Sequence, residues 1–170
     1  HNQIDAEHIL LAMIEQPLGY DDLVDHARLQ ERIATPVCLD ESITSVDKTR
    51  KALQLKACRW VNIKPGRVGG MTNALEINRL CMDARVPCWI GSMLESGIGM
   101  AHLVALGTLP NMEYPGDILP GDRLFNRHLE EPRFMRSGPG QFTALEAPGI
   151  GVEPQPDALK AFTLESAHLN

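Results

Sequence analysis

Short apolar runs, each closed by a polar or charged residue, recur in this chain at nearly constant spacing. They are Met13-Ile14-Glu15-Gln16-Pro17, Val37-Cys38-Leu39-Asp40-Glu41-Ser42 and Val61-Asn62-Ile63-Lys64-Pro65. Asp40 follows Glu15 by 25 residues, and Lys64 follows Asp40 by 24. A fourth run, Pro87-Cys88-Trp89-Ile90-Gly91-Ser92, ends 28 residues after Lys64. Each run is followed by a helix-like stretch. A βα unit repeated in this way builds a parallel sheet. If the sheet closes into a barrel, all strand ends open into one mouth, where two carboxylates and a lysine would converge.

The remaining bulk properties exclude more than they assign. A length of 170 residues is enough for one domain with a sizeable core. The net charge of −6, the lack of a basic run and the few aromatics argue against nucleic acid as a partner. No apolar stretch approaches the roughly 18 residues of a membrane span. Cys38, Cys58, Cys81 and Cys88 form no CxxC pair. They read as small buried thiols in a reducing, cytoplasmic setting. His1 to Leu11 lacks the basic start of a signal peptide and carries Asp5 and Glu7. It reads as the tail of a helix entering a strand, so the chain is expected to be the later part of a longer polypeptide.

Periodicity gives a coarse map. A helix is expected over Asp21 to Ile33, capped by Asp21 or Asp22, with Leu23, Ala27 and Ile33 inward. Pro36 opens the next strand. Ser45 or Asp47 starts a helix through Ala57, with Val46, Ala52, Leu53 and Leu55 as core candidates. Strand Arg59 to Lys64 follows, then a glycine-rich break from Pro65 to Gly70. Thr72 to Ala84 reads as a helix with Ala74, Ile77, Cys81 and Ala84 on one stripe. Gly97-Ile98-Gly99 precedes an apolar helix, Met100 to Leu106. Residues 1–110 are thus read as βα units. Residues 111–170 are rich in Pro and Gly, with strands expected near Met112–Tyr114 and Phe142–Leu145 and a last helix at Ala158–Phe162 capped by Asp157. Four strands cannot close a barrel of eight. Either the others lie upstream or the sheet is smaller and open.

Glu15 and Asp40 on adjacent strands would offer hard oxygen ligands suited to Mg²⁺. The alternative is that they are capping or surface acids. Lys64 ends an apolar strand, where burial penalises a charged amine and prepares it for proton transfer. The alternatives are a lysine snorkelling to the rim or one paired with Asp40. Glu41 should point the other way. Gly91-Ser92-Met93 and Gly97-x-Gly99 could offer backbone N–H groups to a carboxylate or phosphate, a weak signal by itself. His8, His26, His102, His128 and His168 show no ligand spacing.

Taken together, IEQP, CLDES, NIKPGRVGG and GSMLESGIG, in this order and spacing, closely resemble the enolase superfamily, within it the o-succinylbenzoate synthase and N-succinylamino acid racemase group. The resemblance runs from about Met13 to Gly151. It implies the C-terminal portion of a TIM-type (β/α) barrel. By it, Glu15 and Asp40 match the second and third metal carboxylates, for Mg²⁺ or another divalent cation such as Mn²⁺. Lys64 matches the catalytic lysine of the sixth strand, and Arg67 the arginine typical of members that racemise N-succinylamino acids. Ser92 and Met93 match a loop whose backbone contacts the substrate, although glycine is common at the first position. Asp122-Arg123-Leu124-Phe125 resembles an eighth-strand motif usually written SDRYF.

The family's opposing Lys-x-Lys, its first metal carboxylate and its N-terminal capping domain have no counterpart here. Residues 111–170 would hold the last barrel strand and a segment packing toward that cap. The implied activity is dehydration of a small carboxylate through an enediolate, in menaquinone biosynthesis, or racemisation by two lysines, in a cytoplasmic homo-oligomer. A reading of another class is a non-catalytic half-barrel that needs the missing part. A plain α/β binding module is a third.

Overall fold

The computed structural model describes residues 11–119 and 121–167, except the side chains of Asp122 and Arg123. The expected helical tail at the N-terminus lies outside these residues apart from Leu11. Strands β1 (Ile14–Glu15), β2 (Val37–Leu39), β3 (Trp60–Ile63) and β4 (Cys88–Ile90) form one sheet in chain order. β1 pairs parallel to β2 with Glu15 opposite Cys38, and β2 pairs parallel to β3 with Cys38 opposite Trp60. The crossovers carry α1 (Leu23–Arg32), α2 (Val46–Gln54), a short α3 (Pro65–Val68) and α4 (Met71–Asp83). After β4 comes α5 (Gly97–Gly107). This is the parallel βα repeat that the spacing calls for.

β2 and β4 are apolar throughout, and β3 is apolar but for Asn62, because both faces of these strands are covered. Val37, Leu39, Val61 and Ile63 are fully buried on one face, and Cys38 and Asn62 are buried on the other. Trp89 Nε1 donates to Cys38 Sγ at 3.2 Å, which places these two on that second face.

Helix starts follow the local chemistry. Asp22 accepts from Asp25 N at 2.8 Å and Ser45 Oγ from Lys48 N at 3.1 Å, so both are N-caps. The buried stripe of α1 is Leu23, His26 and Gln30, not the expected Leu23, Ala27 and Ile33. Two polar residues turn inward because they satisfy backbone groups. Gln30 Oε1 accepts from Val37 N at 2.7 Å, for example. Leu55 and Ala84 were expected inside but are exposed, since each ends its helix as the C-cap. The expected break after Lys64 is instead the single turn of α3. Pro65 opens it, and Gly69 and Gly70, at φ 90° and 106°, end it.

The chain divides into two compact units: the described residues of His1–Trp89 with Pro110–Tyr114, and of Ile90–Leu109 with Pro115–Asn170. In the second unit Met100, Ala101, Val104, Phe134 and Val152 make a core. This unit also holds α6 (Gly121–Leu124), an antiparallel pair of β5 (Glu130–Glu131) and β6 (Glu153–Pro154), and α7 (Pro156–Phe162). The strand expected at Met112–Tyr114 reduces to one parallel bridge between Cys88 and Met112. No strand forms at Phe142–Leu145. There Phe142 stacks on Phe134 instead, with ring centroids 5.9 Å apart. Asp157 does not cap α7; Gln155 holds the cap position, and Pro156 takes the first helical place. Among the described residues no helix is long and apolar enough to cross a membrane.

Candidate active site at the strand ends

Lys64 continues β3 in extended conformation (φ −121°, ψ 104°). Its side chain therefore lies on the same face as Asn62, two residues back. Lys64 Nζ donates to Asp40 Oδ2 at 2.8 Å. The pairing with Asp40 left open by the sequence is thus formed. Arg67, carried by α3, donates from Nη1 to Asp40 Oδ1, from Nε to Ile43 O at 2.8 Å and from Nη2 to Asn62 O at 2.7 Å. Asp40 is 4% exposed. One buried carboxylate thus lies between two cations, each of which keeps some contact with solvent.

Glu15 is exposed at the end of β1, and its Oε1 accepts from Asn62 Nδ2 at 2.8 Å. Asn62 itself is 1% exposed, and its Oδ1 is buried without a partner. Asn62 ties the first carboxylate to the strand that carries Lys64. The turn after β2 is held from two directions. Arg67 binds Ile43 O, and Gln16 Oε1 accepts from Asp40 N at 3.0 Å and Ser42 N at 3.1 Å. Glu41 is exposed, but not by strand alternation: it lies in the turn that Ile43 N closes on Asp40 O at 2.9 Å.

Glu15, Asp40, Lys64 and Arg67 are therefore joined in one network in the first unit. Ser92 and Met93 belong to the second unit. There Ser92 N donates to Asp117 O at 2.9 Å, and Met93 N donates to both carboxylate oxygens of Glu95 at 2.8 Å. The N–H groups expected to meet a substrate already have internal acceptors. Gly97 and Gly99 form the first turn of α5 instead of a loop.

The four cysteines are buried and free. Burial pushes the Cys38 thiol from its ordinary 9.0 up to about 12, and the nearby Glu15 and Asp40 carboxylates add to this against the Trp89 hydrogen bond. Cys58 is raised by burial, and Cys88 by its hydrogen bond with Cys81 and by burial. Cys38, Cys58 and Cys88 therefore stay protonated near neutral pH. His26, His102 and His128 are engaged with nearby groups, and His8 and His168 lie outside the described residues.

No group of three His, Cys, Asp or Glu side chains able to hold a metal occurs among the described residues. Glu15 and Asp40 nonetheless have the donor chemistry of a hard divalent cation, and the unpartnered Asn62 Oδ1 adds another buried oxygen in the network that holds Glu15. Asn62 and Gln16 escaped sequence reasoning as functional residues. The period-two spacing from Lys64 was a usable signal for Asn62; Gln16 gave none.

Residues 4–158 match the family described as enolase C-terminal domain-like. The chain is 50% identical over 143 residues to an o-succinylbenzoate synthase of Geobacillus stearothermophilus, covering 84% of this chain and 38% of that protein. It is 45% identical over 153 residues to an N-succinylamino acid racemase of Amycolatopsis sp., covering 90% and 41%. A crystal structure of an enolase-superfamily member from Listeria innocua matches with TM-score 0.83 at 41% identity, over 91% of this chain and 42% of that one. The chain thus spans well under half the length of the curated relatives it matches. With a family match over most of its length and a parallel βα sheet to agree with it, this chain belongs to the enolase superfamily through its C-terminal domain-like fold.

Proposed function

We propose that Glu15, Asp40 and Lys64 serve a dehydration of the o-succinylbenzoate synthase type, in which a carboxylate substrate loses its α-proton and its β-hydroxyl as water. The observation that carries this is the hydrogen-bonded network of Glu15, Asn62, Asp40, Lys64 and Arg67 at the ends of three adjacent parallel strands. Glu15 and Asp40 would hold Mg²⁺ or Mn²⁺, which when bound supplies positive charge that eases proton loss beside a carboxylate. Lys64 uses one donor on Asp40, and an ammonium has three. In the dehydration it presents positive charge to the reacting carbon while another base takes the α-proton. The same reading makes the protein a cytoplasmic homo-oligomer acting on a small molecule in menaquinone biosynthesis.

A second reading, N-succinylamino acid racemase, is favoured by Arg67. With Arg67 on the other oxygen of Asp40, Lys64 can release and regain a proton without leaving a buried carboxylate unpaired. Lys64 Nζ would then handle the proton on its own face of the substrate.

The test begins with the intact mass of the natively purified protein, followed by Lys64→Ala assayed for both reactions. The expected result is loss of racemisation by at least a hundredfold and reduced dehydration. Full racemisation by the variant would remove Lys64 from the reaction. A native mass of 18.8 kDa with no turnover until a complementing segment is added would instead support the half-barrel reading.

A further inference from the structure

Gln16 follows Glu15 directly, and its backbone lies at φ 39°, a region that non-glycine residues seldom occupy. This left-handed step ends β1 immediately after the carboxylate. Its backbone N–H still donates to Cys38 O at 2.8 Å, so the ladder to β2 is kept through the turn. The side chain then crosses to the next strand end. Its Oε1 accepts from Asp40 N and Ser42 N, and its Nε2 donates to Ser42 Oγ at 2.8 Å and Leu18 O at 3.3 Å. Both lone-pair directions and both N–H bonds of the amide are used. Ser42 is fully buried.

The surroundings hold Gln16 in turn. His26 is fully buried in α1, and its Nε2 accepts from Leu18 N at 3.3 Å. Its Nδ1 faces Asp22 O, which can only accept, so the ring proton sits on Nδ1. A left-handed glutamine is strained, because its Cβ crowds the following carbonyl oxygen. The chain keeps that conformation because four side-chain hydrogen bonds oppose the strain. None of them goes to a reacting group. Three of them fix the end of β1 against the end of β2, where Glu15 and Asp40 stand, and the fourth, to Leu18 O, braces the loop after β1.

We propose that Gln16 is a positioning residue that sets the separation of Glu15 and Asp40 and thereby the preference of this site for a small divalent cation over a large one. The inference rests on the proposal that these two carboxylates hold a divalent cation. Mg²⁺ demands a near-ideal octahedron at about 2.1 Å, whereas Ca²⁺ accepts a loose cage at about 2.4 Å. A clamp on ligand spacing therefore matters to the first ion and much less to the second.

The test is an NMR titration of the ¹⁵N-labelled chain and its Gln16→Gly variant with MgCl₂ and with CaCl₂. Glycine relieves the left-handed strain while deleting the amide, so the variant is built to stay folded. Without any cation, the Asp40 and Ser42 amide protons should exchange faster in the variant while β3 amides keep their protection. The expected result with cation is Mg²⁺ affinity weakened about tenfold and Ca²⁺ affinity changed by less than about threefold. Gln16→Asn tolerates the same φ but is one methylene short, and should behave like the glycine variant. Equal losses for both ions, or no loss for either, overturn the clamp while leaving the cation proposal standing. If the wild-type chain shows no cation-dependent shift at Asp40 N or the Asn62 side-chain amide, the cation proposal fails and takes the clamp with it.

Discussion

Asp40 takes charge-assisted bonds from Lys64 and Arg67 while 4% exposed, so its neighbours are exposed to any change in that pairing. Removing Arg67 takes away one cation and leaves Ile43 O and Asn62 O without their donor. Arg67→Ala should cost about 3 kcal/mol in urea-monitored unfolding. Arg67→Lys should recover only part of it, because an ammonium cannot reproduce the three-way fork. At this scale much of the site was legible. A lysine closing an apolar strand is rare without a partner, and the partner was one of the two acids already singled out. Gln16 was not legible, because what makes it matter is a backbone dihedral and a reach across to β2, and a single sequence encodes neither in its spacing.

Elements depend on a few local devices that can be tested separately. Ser45→Ala removes the acceptor at the start of α2 and should cost about 1 kcal/mol, read as a shift in the urea midpoint. A different device sits at the start of α5. A Cβ on Gly97 would lie 1.8 Å from Glu130 Oε1 and 2.1 Å from its carboxyl carbon. That carboxylate is fully buried and accepts from Leu129 N and Phe134 N. Gly97→Ala should therefore destabilise by about 3 kcal/mol. Gly66→Ala, where a Cβ meets nothing within 4 Å, should change little. Strands and helices of the βα repeat were readable because apolar runs and caps carry them. The inward stripe of α1 was misread because apolar counting cannot foresee His26 and Gln30 serving backbone groups.

Across the whole molecule the buried thiols make stability depend on alkaline pH. Unfolded, Cys38 titrates near its ordinary 9.0; folded, near 12. Below 9.0 both states keep the proton and pH has no effect through this group. Between 9.0 and about 12 the unfolded chain loses a proton that the folded chain retains, so stability falls as pH rises. Cys58 and Cys88 are raised in the same direction and add to the fall. Urea midpoints measured from about pH 8 to about pH 11 should decline, and the decline should be shallower in Cys38→Ala. The fold class was readable from the repeat, whereas the second unit was not, since its core joins Met100 in a helix to Phe134 and Val152 in loops with no shared periodicity. Trp60 and Trp89, the only tryptophans, meet the Tyr114 ring edge-on at centroid distances of 5.8 and 6.0 Å. Tyrosine excitation at Tyr114 should pass to the indoles, and the Cys38 sulfur against Trp89 should quench one of them. The emission and near-ultraviolet dichroism of this chain would then act as a built-in gauge of whether three distant stretches of sequence remain in register.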